Sequence, residues 1–202
     1  MDNTTNAGIE QYRQQNRNYN FTLISRDCIG GIVYNQLGLP FLSPTVNLFF
    51  SPADFNLFCL HLKDYLDAEL IECYGFDYPA GVLLTPNHPC IIIHFMHYKN
   101  FLEAKECWER RKERINWNNI YIVSSFCYPG ETEHFNEQLV VDWNNIPYKK
   151  VIFVNQSYGF ENEYVIQQPL DCTDYAWLLS FINSNSWRRV INKYDWISFL
   201  NS

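Results

Sequence analysis

Cys28, His94 and His97 are the residues of this chain best suited to covalent chemistry. Cys28 lies between a short apolar run, Phe21 to Ser25, and the pair Gly30-Gly31, while the two histidines close the apolar string Cys90 to Phe95 and its continuation. A thiol and an imidazole are a nucleophile and its general base, the pairing that acyl transfer or thiol-based hydrolysis needs. Spacing along the chain leaves open whether they touch. Phe21 to Ser25 reads as a buried strand, since β-branched and aromatic residues fill it, and Ile29 to Leu37 reads as a helix closed by Gly38. Cys28 then falls at a helix N-terminus, where free backbone N–H groups and the positive dipole end should depress its pKa and attract an anion. The plainer alternatives are a packed thiol, a hydrogen-bonded or solvated histidine pair, and a Gly30-Gly31 tight turn that matches neither GxGxxG nor a P-loop. No metal centre is predicted, because His94 and His97 lack a third ligand at a standard spacing.

The elements that must position these groups alternate between strand and helix. Residues 1–19 are polar and read as a flexible or helical arm, and residues 20–202 as a single domain. Ser51-Pro52-Ala53-Asp54 opens a helix running to Leu66, with Phe55, Phe58, Leu62 and Tyr65 at helical spacing. Ala68 to Cys73 and Gly81 to Leu84 read as short strands, and Cys90 to Phe95 as a central one. Helix Lys99 to Ile115, strand Ile120 to Val123, helix Glu131 to Trp143 and strand Val151 to Val154 follow, then an edge strand at Tyr164 to Gln167 and helices over Tyr175 to Asn183 and Trp187 to Leu200. Such βαβ alternation predicts a three-layer α/β/α domain on a mainly parallel, Rossmann-like sheet.

In open parallel sheets ligands bind outside the carboxyl ends of the strands. That rule brings Asp27, Ser124, Ser125, Cys127, Asn155 and Gln156 to the same rim as Cys28 and the histidines. On the helix Lys99 to Ile115 the apolar stripe Phe101, Ala104, Trp108 and Ile115 is completed by Arg111, with Arg114 flanking it. A guanidinium on a buried face must meet a carboxylate, carbonyls or an anionic ligand, so Arg111 is expected buried and either structural or phosphate-binding.

With 202 residues, 47% apolar and 17% aromatic, the chain can bury one sizeable core. A net charge of -7 and a pI near 5.2 argue against nucleic acid or an anionic membrane as partner. Without a long apolar run or a signal pattern, the expectation is a soluble, cytoplasmic protein. The seven cysteines form an odd set with no CxxC pair, which favours neither a disulfide framework nor a zinc site.

The strings FTLISxxCIGG, VYNQLGLPFLSPTVNLFF and HFMHY followed by WERRKERIN fall between Phe21 and Asn116, and the likeness they carry covers roughly residues 15–200, nearly the whole chain. They resemble the bacterial family known as domain of unknown function 1919, whose members are often labelled exopolysaccharide biosynthesis proteins and carry Asn-Asn where this chain has Arg26-Asp27. The resemblance implies an α/β fold and an association with surface glycans. Together with Cys28, His94 and His97, and with Arg111 set for a phosphate-bearing donor such as a coenzyme A thioester, it leads to the expectation of a sugar acyltransferase. A glycosyltransferase using a nucleotide-sugar is the second reading, with Tyr34, Trp117 or Tyr128 against base or sugar. The third is a non-catalytic glycan-binding protein.

Overall fold

The computed structural model describes residues 3–127, 129–166, 176–180 and 188–202. In chain order, its first half comprises α1 (Asn3–Gln15), β1 (Thr22–Ser25), α2 (Ile29–Leu37), α3 (Pro52–Leu60), α4 (Leu62–Asp67), β2 (Glu69–Cys73), β3 (Ala80–Leu84) and β4 (Ile91–His94). The second half comprises α5 (Phe101–Lys112), β5 (Ile120–Phe126), α6 (Pro129–Thr132), α7 (Glu137–Asn145), β6 (Lys149–Val154), β7 (Glu163–Val165), α8 (Ala176–Leu179), a 3-10 turn (Val190–Lys193) and α9 (Trp196–Asn201).

The fold is α/β. β1, β5, β6 and β7 form a four-stranded sheet in the order β1-β5-β6-β7, every pair parallel. Its strands are near-continuous apolar runs because both faces are covered, and alternate residues serve separate cores. Leu23, Tyr121, Val123, Val151 and Phe153 face a core shared with Ile29 and Val33 of α2 and Trp196 and Leu200 of α9. Ile24, Ile122, Ile152 and Val154 face the other, shared with Phe55 and Phe58 of α3, Trp108 of α5 and Trp143 of α7. α1 is tied to the domain: Arg13 Nε donates to the Gln36 carbonyl at 2.9 Å, at the C-terminal end of α2.

One strand lies elsewhere than the sequence suggests. The Cys90 to Phe95 run does not enter the parallel sheet; β4 pairs antiparallel with β3 in a separate sheet of order β2-β3-β4, whose inner face adds Leu70, Leu83, Ile91 and Ile93 to the second core. Chain length is the cause, since the short link from Leu84 to Ile91 permits a hairpin but not the crossover of roughly a dozen residues that a parallel neighbour needs. The helix expected over Pro52 to Leu66 is two helices, broken at His61 with φ -120 and ψ 40. The helix expected from Glu131 begins properly at Glu137, where the Asn136 side chain accepts from the Leu139 N–H. Of the expected edge strand, Glu163–Val165 forms β7, while Gln167 lies outside the described residues. The helix expected from Tyr175 to Asn183 is described only over Ala176–Leu179, and Trp187 at the start of the last expected helix is likewise outside the described residues.

Candidate functional site

The turn after β1 is built by short-range polar contacts. Ser25 Oγ donates to the Asp27 carbonyl at 2.7 Å and accepts the Gly30 N–H at 3.1 Å, while Asp27 Oδ1 accepts the Ile29 N–H at 2.9 Å. These bonds start α2 at Ile29 and leave Cys28 at the cap position. Gly30 is required by close approach: a Cβ there would stand 2.7 Å from Ser25 Cβ. The pair Gly30-Gly31 therefore packs a helix onto a strand.

A connector joins this turn to the second sheet. Thr45 Oγ1 accepts the Ser25 N–H at 2.8 Å, the Phe50 N–H donates to the Arg26 carbonyl at 3.0 Å, and Phe49 forms an antiparallel bridge with His94. The end of β4 is thereby held beside the end of β1. Three residues further on, His97 Nε2 stands 3.2 Å from Cys28 Sγ. His97 is exposed and Cys28 half-buried, so the pair lies at an accessible edge.

The thiol is not the acidified one expected from its helix terminus. Burial, and secondarily the adjacent Asp27 carboxylate, push the Cys28 pKa up to about 12. The first N–H groups of α2 are already occupied by Asp27 and Ser25, so the helix end offers the sulfur a carboxylate neighbour in place of bare donors. At neutral pH Cys28 is a protonated thiol in contact with an imidazole. Any reaction at this sulfur would require a base to take its proton, and His97 Nε2 is within reach to do so.

The other predicted site residues separate into distinct surroundings. Asp27 is buried, and its Oδ2 accepts from Ser125 Oγ at 2.7 Å; Ser125 Oγ in turn accepts from Arg26 Nη2 at 2.9 Å, and Arg26 Nη1 pairs with Glu131 Oε1 at 2.5 Å. This chain of bonds fastens the β1 turn to β5 and α6. Ser124 is buried in β5, and Asn155 Oδ1 accepts from the Tyr158 hydroxyl at 3.0 Å. His94 sits in a ring cluster: it stacks on Phe49 at 4.3 Å, meets Phe76 edge-on, and its Nδ1 lies 3.3 Å from the Tyr78 hydroxyl. Burial lowers its pKa.

Arg111 is 9% exposed, with Nη1 donating to the Tyr98 hydroxyl at 2.6 Å and the Val46 carbonyl at 3.2 Å, and its guanidinium 5.4 Å from the Phe41 ring. No carboxylate pairs with it among the described residues. Tyr98 also donates to Val46 at 2.8 Å, so Arg111 braces both the connector and the residue after His97. Arg114 is exposed and reaches the Phe41 carbonyl at 3.4 Å. Thr45, Tyr98 and Glu131 were not singled out from sequence. Tyr98 had a signal, as the neighbour of His97, whereas Glu131 had none at 105 residues from Arg26.

A family model described as Domain of unknown function (DUF1919) matches residues 3–201. The chain belongs to this family. A relative called "Uncharacterized protein" from Haemophilus influenzae (strain ATCC 51907 / DSM 11121 / KW20 / Rd) is 29% identical over 187 residues, which cover 91% of this chain and 85% of the relative. In this DUF1919 protein no helix among the described residues is long and apolar enough to cross a membrane. A surface cleft of about 290 Å³ opens by the β2–β3 turn, lined in part by Tyr74, Phe76, Tyr78 and Phe101, next to the His94 ring cluster. Cys28 and His97 are not among its lining residues.

Proposed function

We propose that the protein is an acyltransferase that carries its acyl group on Cys28, with a thioester such as an acyl-coenzyme A as donor and a saccharide hydroxyl as acceptor. The contact of Cys28 Sγ with His97 Nε2 at 3.2 Å carries this reading. In the first half-reaction Sγ attacks the donor carbonyl as its proton passes to Nε2; the donor thiolate leaves and takes that proton. In the second half-reaction the acceptor hydroxyl gives its proton to Nε2 and attacks the Cys28 thioester. The Cys28 thiolate then departs and recovers the proton. His97 acts as base and then acid in each half, which a thiol with a raised pKa requires.

The saccharide class draws its support from the aromatic cleft, where Tyr74 is 79% exposed and Phe76 39% exposed, because the C–H faces of sugar rings pack on aromatic faces; Cys28 and His97 do not line it, so it would hold sugar units beyond the reacting one. A non-catalytic glycan-binding protein would use the same rings. Arg111 Nη1, already engaged by Val46 and Tyr98, favours neither a coenzyme A nor a nucleotide-sugar diphosphate; the nucleotide-sugar reading draws less support because it gives the Cys28–His97 contact no role. Free thiols at all six described cysteines suit a reducing, cytoplasmic setting.

Incubation with acetyl-coenzyme A and longer acyl-coenzyme A thioesters, followed by peptide mass spectrometry, tests the reading. An acyl adduct on the Cys28 peptide, formed about a hundredfold or more slowly in His97→Ala, is expected. Absence of any adduct, or acylation of Cys28 and Cys90 at equal rates with and without His97, would overturn it and leave the glycan-binding alternative.

A further inference from the structure

A separate constellation lies at the other end of β4. His61 sits at the break between α3 and α4, Asp64 in the first turn of α4, and His88 in the loop before β4. One donor atom from each lies within 4.8 Å of the others. His88 Nε2 is 2.7 Å from Asp64 Oδ2, and the two imidazoles stack with centroids 3.7 Å apart. Each ligand is delivered by ordered backbone. Thr85 Oγ1 accepts the His88 N–H at 3.0 Å, and the Tyr65 hydroxyl donates to the Pro89 carbonyl at 2.7 Å, which pins the loop to α4. His61 is displaced from the helical path that Pro52 to Leu66 would otherwise follow, and this break turns it toward the same point as Asp64.

We infer that His61, Asp64 and His88 form a binding site for a divalent transition-metal ion, Zn2+ by the chemistry of its donors. Two imidazoles and one carboxylate suit Zn2+ and its neighbours in the transition series, whereas Ca2+ and Mg2+ prefer all-oxygen shells. Tetrahedral Zn2+ with bonds of about 2.1 Å sets its ligand atoms about 3.4 Å apart. The donors, now within 4.8 Å of one another, must close in, and the stacked rings must splay so that both nitrogens point at the ion, which takes the place of the His88–Asp64 hydrogen bond. Asp142 of α7 acts electrostatically on His61 and adds negative charge beside the site. The fourth position is left to water. Bound metal would cross-link the α3–α4 break to the β3–β4 loop, 24 residues from Asp64 to His88. This site is independent of Cys28 and His97, which lie past the opposite end of β4.

The test uses full-length protein freed of any affinity tag and stripped with a chelator. Zn2+ is titrated in competition with a chromophoric chelator, and Co2+ is followed by its visible absorption. One equivalent of Zn2+ should bind to the wild type and raise its melting temperature. Affinity should fall about tenfold or more in His88→Gln and in His61→Ala. Cys90→Ser, two residues from His88, and Cys28→Ser should bind as the wild type does. Absence of binding below about 0.1 mM Zn2+ in wild-type protein whose circular dichroism is that of a folded chain would overturn the proposal. So would unchanged affinity in both histidine variants, or loss of binding in Cys90→Ser alone.

Discussion

Cys28 Sγ meets His97 Nε2 at 3.2 Å across 69 residues of chain, and the thiol in that contact has a raised pKa. A thiolate–imidazolium pair would give an alkylation rate that levels off below neutral pH. Here the iodoacetamide rate at Cys28 should instead climb steadily as pH rises toward about 12, because burial and Asp27 keep the proton on sulfur. At pH 7 the exposed Cys90 should react first. Site-resolved mass spectrometry over a pH series decides this, and a Cys28 plateau below pH 7 would refute it.

Ser125 links Asp27 to Arg26 inside the protein. Ser125→Ala removes a donor from one buried charge and an acceptor from another, so a loss of about 1–3 kcal/mol is expected. For a chain of this length that corresponds to a melting temperature lower by roughly 2–12 °C. Chemical denaturation that finds the variant within error of wild type would show the network to be replaceable by water.

At Gly30 any side chain must displace backbone-anchored atoms, since Cβ would approach Ser25 Cβ to 2.7 Å. Gly30→Ala should cost about 1–3 kcal/mol and move Cys28 relative to His97. Loss of stability together with slower Cys28 acylation is the expected pair of results. Full stability in Gly30→Ala would show that α2 can shift away from β1 at little cost.

Arg111 serves as a brace, with Val46, Tyr98 and Phe41 around its guanidinium. Arg111→Lys keeps the charge but loses the planar group that lies against Phe41, and should lower stability by about 1–2 kcal/mol. Differential scanning fluorimetry in the presence and absence of acyl-coenzyme A separates this from phosphate binding. An unchanged melting temperature with lost ligand response would assign Arg111 to a ligand.

His94 gives a pH-dependent stability term of definite sign. Burial lowers its folded pKa below the ordinary 6.5, so as pH falls past that value the unfolded chain takes up a proton more readily and stability declines until the folded pKa is reached. His94→Gln should remove this component. The difference in melting temperature between pH 7.5 and pH 5.5 should therefore be smaller in the variant than in the wild type, and an equal or larger difference would contradict the assignment.

Local sequence determined much of this protein. Ser25 to Gly31 dictates a strand, a polar turn and a helix start through contacts spanning five residues or fewer. The near-continuous apolar runs of β1, β5 and β6 dictate a sheet with two cores, since each strand is apolar on both faces. The stripe on α5 already demanded that Arg111 be buried with Trp108, and both are. Tertiary structure decided the rest. β4 went to an antiparallel sheet because of a short hairpin link, and the Phe49–Phe50 connector, pairing with His94 on one side and Arg26 on the other, then brought His97 to Cys28. Which histidine met the thiol depended on that backbone pairing, which no spacing along the chain encodes. The thiol's protonation was likewise set by groups that fill the helix end, Asp27 and Ser25, and by the burial that only packing supplies.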